Sequence, residues 1–234
     1  MKTYVVNLKR RPDRRARMRR ILPATWDVRY TSDWDGPMDG QSIHPGDLPG
    51  FGLYPWEIPS DNPWWNRPLK LGEVGCAISH WMCWRQAAAA GADPAIILED
   101  DIVLRTGCAA RLESALSRLS VLDPHWDLLY LGRWALDHED RVVADGIVRP
   151  GYSYCTFGYA LSPSGIRALL DCGFEHALIP VDELIPALYM DHPRPDVRCL
   201  YPKRLRAYAL EPPLVTQLPK DQAGSDTEAS AFVG

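Results

Sequence analysis

Apolar residues in this chain fall into two alternating patterns. Tyr4-Val5-Val6-Asn7-Leu8, Pro94-Ala95-Ile96-Ile97-Leu98, Trp126 to Gly132 and Tyr152 to Leu161 are compact, strand-length runs. Such runs suit strands buried on both faces. Between them the spacing turns helical. Pro12 opens a basic helix to about Leu22, with Asp13 in its first turn. Gly72 to Ala90 reads as a helix with Ile78, Trp81 and Met82 inward and Gly91 as its stop. Ala109, Leu112, Leu116 and Leu119 mark another near 108–120. Residues 27–35 supply a strand and turn, and 141–149 a strand or hairpin. Ser162-Pro163-Ser164-Gly165 caps a helix at 164–171. The alternation predicts an α/β fold, a mainly parallel central sheet flanked by helices.

Two stretches break the pattern. Gly36 to Pro68 holds seven prolines together with Trp56, Trp64 and Trp65. It reads as a long ordered loop, of a length that more often serves as a lid or binding loop than as a connector. Residues 219–234 are polar and predict a mobile tail, leaving 1–218 as one domain.

Charge narrows the partners. The net charge is −4 over 234 residues. Residues 9–20 carry eight Lys/Arg against one Asp, so the rest of the chain is strongly acidic. That balance argues against a general nucleic-acid binder. Arg15, Arg17, Arg19 and Arg20 suit a solvated face or contact with an anionic membrane surface. No apolar stretch is long enough to span a bilayer and no apolar signal core opens the sequence, so the expectation is cytoplasmic, with peripheral membrane contact through the basic helix. Six cysteines without a Cys-x-x-Cys pair predict reduced thiols rather than a zinc or disulfide framework.

The chemistry concentrates where the run ending at Leu98 meets Glu99-Asp100-Asp101. Open α/β sheets bind ligands at the carboxyl ends of their strands. Three adjacent carboxylates invite a divalent cation, and with it a diphosphate or nucleotide-sugar; the plain alternative is a solvated acidic turn. Asp182 and Glu183 open a helix, as general-base candidates or as ordinary N-terminal acids.

Several segments resemble glycosyltransferase family 25, the lipooligosaccharide and collagen galactosyltransferase family. They are Tyr4–Leu8 with Arg11-Pro12-Asp13-Arg14, Gly72-Glu73-Val74-Gly75 through Ser79-His80, and Ile97–Asp101. Gly158–Ser162, Pro180-Val181-Asp182 and Gln217 with Ser225-Asp226 follow in the family's order. The resemblance implies a GT-A (Rossmann-like) fold, a UDP-sugar donor, Mn²⁺ or Mg²⁺, and inverting transfer of a hexose such as galactose to an acceptor hydroxyl in lipooligosaccharide or another surface glycan, with a small molecule or a peptide as the alternative acceptor.

It also implies roles. Asp101 and Glu99 would bind the metal, while Asn7, Leu8, Arg11, Arg14, Ser79, His80, Glu99 and Asp100 would line the nucleotide-sugar. Gly158 and Tyr159 would lie near the acceptor. Asp182 would be the base, with Glu183 orienting a sugar. His80 on its own reads more readily as a packed residue, and the three tryptophans either stack on sugars or form core. His192 and Asp226 are further metal-ligand candidates. The rivals are a non-catalytic nucleotide-sugar- or carbohydrate-binding protein of the same fold, and a phosphoesterase, which needs more His and Asp ligands than these segments offer.

Overall fold

A computed structural model describes residues 1–31, 50–137 and 139–233. The expected turn at 32–35 and the first part of the long loop, 36–49, lie outside the described residues. The strands are β1 (Lys2–Val6), β2 (Asp27–Thr31), β3 (Ala95–Glu99), β4 (Ile102–Leu104), β5 (Leu128–Ala135), β6 (Arg141–Ala144), β7 (Ile147–Arg149), β8 (Ser153–Leu161), β9 (Ala207–Leu210) and β10 (Val215–Gln217). The helices are α1 (Pro12–Ile21), α2 (Leu71–Ala89), α3 (Cys108–Leu122), α4 (Pro163–Leu170), α5 (Val181–Ala187), α6 (Pro195–Leu200) and α7 (Lys220–Ala223).

Eight strands form one sheet in the order β2-β1-β3-β8-β5-β9-β7-β6, and β10 pairs with β4 beside it. The pairing directions make β1, β2, β3, β5, β6 and β9 run one way and β7 and β8 the other. The expected α/β architecture is present, with mostly like-directed strands. What the apolar runs do not signal is that β8 lies antiparallel at the sheet's centre.

Successive strand residues point to opposite faces, and each face has its own core. Tyr4, Ile97, Tyr130, Tyr159 and Leu161 pack with α2, α4 and α5, while Val5, Ile96, Leu98, Leu129 and Ala160 pack with Met18 of α1 and Leu112 and Leu119 of α3. Burial on both sides is why the runs are nearly continuous instead of alternating.

The Gly72-Glu73 motif has a structural basis. Glu73 accepts from the Lys70 backbone N–H at 2.7 Å and pairs with Arg67 at 2.6 Å, closing the first turn of α2. A Cβ on Gly72 would stand 2.4 Å from Thr227 Cα, so glycine is what lets the C-terminal segment cross there. That segment, expected as a mobile tail, folds back on the domain. Leu71 N–H bonds Ala231 O at 2.8 Å, and Val233 N–H bonds Leu69 O at 2.7 Å.

Residues 50–68 are also docked. Tyr54 N–H bonds Leu178 O at 3.0 Å, Trp56 is buried, and the Arg194 guanidinium lies 4.1 Å over its ring. Trp64 is exposed while Trp65 reaches inward. The basic helix is less solvated than its charge suggests. Arg17 donates to Ile102 O at 2.5 Å, and Arg15 and Arg19 sit over the Tyr30 ring. Among the described residues no helix is long and apolar enough to cross a membrane.

Candidate active site

The carboxyl ends of β1 and β3 lie side by side, with Val6 paired to Glu99. The chain just beyond them brings Asn7 to Asp100. Asn7 Nδ2 donates to Asp100 Oδ2 at 2.7 Å, and Arg14 Nη1 to Oδ1 at 2.8 Å. Asp100 is thus held from both sides, although burial still pushes its carboxyl above the usual range. Leu8 contributes only its carbonyl, which accepts from Arg11 N–H at 2.9 Å.

Asp101 is held less completely. Gln217 Nε2 donates to Oδ2 at 3.0 Å, and the Asp101 carbonyl accepts from Leu218 N–H at 2.8 Å. Its Oδ1 is buried without a partner. Burial and the neighbouring Glu99 charge push this carboxyl up to about 7, and burial with the charges of Asp182 and Asp100 pushes Glu99 up to about 8. The Arg14 charge offsets only part of this, so both carboxylates stay under-compensated. An orphaned buried oxygen and an all-oxygen donor set fit Mg²⁺ or Mn²⁺, with Asp101 and Glu99 as the residues that would hold it.

Asp182 belongs to the same electrostatic group. Its Oδ1 accepts from Thr156 N–H at 2.9 Å and from Thr156 Oγ1 at 2.8 Å, while burial raises its carboxyl above the ordinary range. Thr156 reaches it because β8 is bulged. The pairing with β5 slips between Tyr154 and Gly158, and Cys155 takes φ +64°. A non-glycine residue in that region is strained, and such strain concentrates beside functional sites.

Glu183 is built differently. Its Oε1 accepts from Trp65 Nε1 at 2.9 Å and Tyr154 OH at 2.8 Å, and its Oε2 from Tyr152 OH at 2.5 Å and His192 Nε2 at 2.7 Å. Burial pushes the carboxyl up, but the bonds from His192, Tyr152 and Trp65 outweigh it and leave it below the usual range. His192 Nδ1 accepts from Arg194 N–H at 3.1 Å, so Nε2 carries the ring proton and both nitrogens are occupied. That leaves His192 no lone pair for a metal.

The sequence matches the profile of glycosyltransferase family 25, described as an LPS biosynthesis protein, over residues 57–144. A probable inactive glycosyltransferase 25 family member 3 of Rattus norvegicus is 34% identical over 97% of this chain and 40% of that protein. The procollagen galactosyltransferase 1 of Danio rerio is 32% identical over 97% of this chain and 38% of that protein. Over nearly its whole length the chain is similar to members of glycosyltransferase family 25. It spans about 40% of the length of these curated relatives. A solved mannose-1-phosphate geranyltransferase from Thermus thermophilus aligns with TM-score 0.40 and 12% identity over 89% of this chain and 72% of that one, a likeness too low to bear on function.

Family 25 motifs thus converge on one strand-end site for Asn7, Arg14, Glu99, Asp100, Asp101 and Asp182. Arg11 lies close by, paired with Asp226 at 2.8 Å and with Asp13 at 3.0 Å. Other residues carried by the resemblance sit elsewhere. Ser79 is buried and bonds its own helix at Gly75 O, 2.7 Å away. Tyr159 has no exposed surface, so its ring does not meet an acceptor as expected. A Cβ on Gly158 would press on Val215 and Leu98, which makes that glycine a core-packing residue.

The Tyr159 hydroxyl instead accepts from Trp84 Nε1 at 2.9 Å and stands 2.7 Å from His80 Nδ1. Its own proton has His80 Nδ1 as the acceptor, which assigns the remaining ring proton to Nε2. Burial pushes His80 down to about 4, so the ring is neutral. Sequence reasoning missed Thr156, Tyr152, Tyr154 and the Trp65 contact. The only signal for them was the aromatic pair Tyr152-x-Tyr154 at strand spacing.

Proposed function

We propose that this chain transfers a hexose, galactose by preference, from a UDP-sugar to an acceptor hydroxyl with inversion at the anomeric carbon. One observation carries the reading most directly. The buried Asp101 Oδ1 has no partner, beside Glu99 and Asp100 at the end of β3, in carboxylates pushed up by burial and by one another. A divalent cation there would offset the charge of a departing diphosphate.

The protein's own residues supply the rest. Asp182, pinned through Oδ1 by Thr156, takes the acceptor hydroxyl's proton on its other oxygen, and its raised pKa makes it a better base. Asn7 and Arg14 fix Asp100, and Arg11, its guanidinium paired with Asp13 and Asp226, ties the C-terminal segment beside the site. Glu183 holds the wall made by Trp65, Tyr152 and Tyr154.

The relatives' names support a galactosyl donor, and those naming procollagen favour a hydroxyl on a peptide as acceptor, while the family description keeps a surface glycan in view. A transfer assay with UDP-galactose and Mn²⁺ against procollagen-like peptides bearing side-chain hydroxyls, and against glycan acceptors, tests the reading. Galactosylated product of inverted configuration supports it. Hydrolysis or no turnover with any acceptor favours the second reading, a nucleotide-sugar-binding protein without transferase activity. That alternative draws on the relatives named as inactive family members.

A further inference from the structure

Cys76 and His80 stand four residues apart on α2 and therefore share a face of the helix. One donor atom each from Cys76, His80 and Glu99 come within 4.8 Å of one another. His80 is fully buried, and its Nε2 has no hydrogen-bond partner although Glu99 Oε1 lies 3.6 Å away. The ring cannot turn aside, because Tyr159 holds the opposite nitrogen at 2.7 Å and Trp84 holds Tyr159 at 2.9 Å. Buried polar atoms are normally satisfied. A buried imidazole nitrogen that faces a carboxylate beside a thiol, and bonds neither, has the arrangement of a ligand awaiting an ion.

The donors decide which ion. Sulfur and imidazole favour Zn²⁺, whereas the oxygens of Asp101 and its neighbours favour Mg²⁺ or Mn²⁺. We propose that Cys76, His80 and Glu99 form a site for a thiophilic divalent cation of the Zn²⁺ class, separate from the oxygen site at Asp101 and sharing Glu99 with it. Ligand atoms of a tetrahedral zinc centre stand about 3.3–3.6 Å apart, given bonds of about 2.0–2.3 Å. The cluster therefore closes by about 1 Å, which the partly exposed Cys76 and Glu99 allow. As the zinc–sulfur bond forms, the Cys76 S–H bond breaks and its proton leaves to solvent. The His80 ring proton moves from Nε2 to Nδ1, which then donates a hydrogen bond to the Tyr159 oxygen; the Tyr159 hydroxyl keeps its own proton and turns it away from the ring, and water fills the fourth position. Nothing is oxidised or reduced.

Occupation captures Glu99. Zn²⁺ would then inhibit transfer supported by Mn²⁺, a consequence that rests on the proposed function; the binding itself does not.

The test is a Co²⁺ titration of the full chain followed by absorption, with Zn²⁺ affinity measured by competition against a chromogenic chelator. The expected result is one Co²⁺ with a thiolate charge-transfer band that Zn²⁺ bleaches. Cys76→Ser should abolish the band and weaken Zn²⁺ by more than the roughly 10–100-fold typical of losing an outer-shell partner. It should keep its transfer activity but lose zinc inhibition. Cys199→Ser, at an exposed thiol, should change nothing. If Cys76→Ser lowers the melting temperature, Cys76→Ala is read in the same way. A band that persists without Cys76, or the lack of any band in the unsubstituted protein, overturns the site. A Cys76-dependent band in a protein without transfer activity keeps the site and rejects the transferase reading.

Discussion

Asp101 and Glu183 are both buried acids, 8% and 3% exposed, yet the fold treats them in opposite ways. Four donors converge on Glu183, and its carboxyl falls below the ordinary range. Asp101 receives one side-chain donor, keeps an orphaned oxygen and rises to about 7. A saturated carboxylate fastens structure, because every lone pair is already committed. An unsaturated one costs stability unless something outside the chain completes it. The contrast therefore separates the residue that holds the wall from the residue poised to bind.

The sharpest way to break this contrast is to exchange the consequences. Asp101→Asn should abolish cation-dependent transfer while leaving melting in EDTA unchanged or raised. Full turnover by that variant would remove Asp101 from the cation site. Asp182→Asn should lower kcat by roughly 10²–10⁴-fold with donor affinity preserved, as for loss of a general base. A change in donor affinity alone would instead make Asp182 a binding residue.

Glu183→Ala should show the converse pattern. Removing the common acceptor strands the donors of Trp65, Tyr152, Tyr154 and His192, at a cost of about 3–5 kcal/mol in chemical denaturation. A loss below about 1 kcal/mol would mean the network contributes little.

The smallest effect is in pH. Glu99 and Asp101 have folded pKa values of about 8 and 7, above the unfolded carboxyl range of about 4. The unfolded chain releases these protons first as pH rises. Stability from these groups is therefore complete below about pH 4 and is lost between there and pH 8. In EDTA, melting should fall over that window relative to Asp101→Asn, and Mn²⁺ should raise it more at pH 8 than at pH 6. Equal Mn²⁺ shifts at both pH values would contradict the coupling.

The two clusters also differed in how far the sequence disclosed them. Glu99-Asp100-Asp101 is contiguous and ends an apolar strand, so its place at the strand end is readable. The Glu183 network joins residues 65, 152, 154 and 192, which only the tertiary fold brings together. Thr156 reaches Asp182 through a bulge at Cys155, where no Gly or Asn announces a positive φ. The strand runs located β8 but not its direction, because burial on both faces erases the alternation that would orient it. Tyr159, which the resemblance puts near the acceptor, lies in the core instead.

The most direct measurement is calorimetric titration of UDP-hexoses into the protein and its Asp101→Asn variant, in Mn²⁺ and in EDTA. The account predicts that Mn²⁺ tightens one UDP-hexose by at least about tenfold, or 1.4 kcal/mol, and only while Asp101 is present. Equal affinity in Mn²⁺ and EDTA, or no nucleotide binding in either, would show that the open carboxylates at the end of β3 do not hold a cation for a donor.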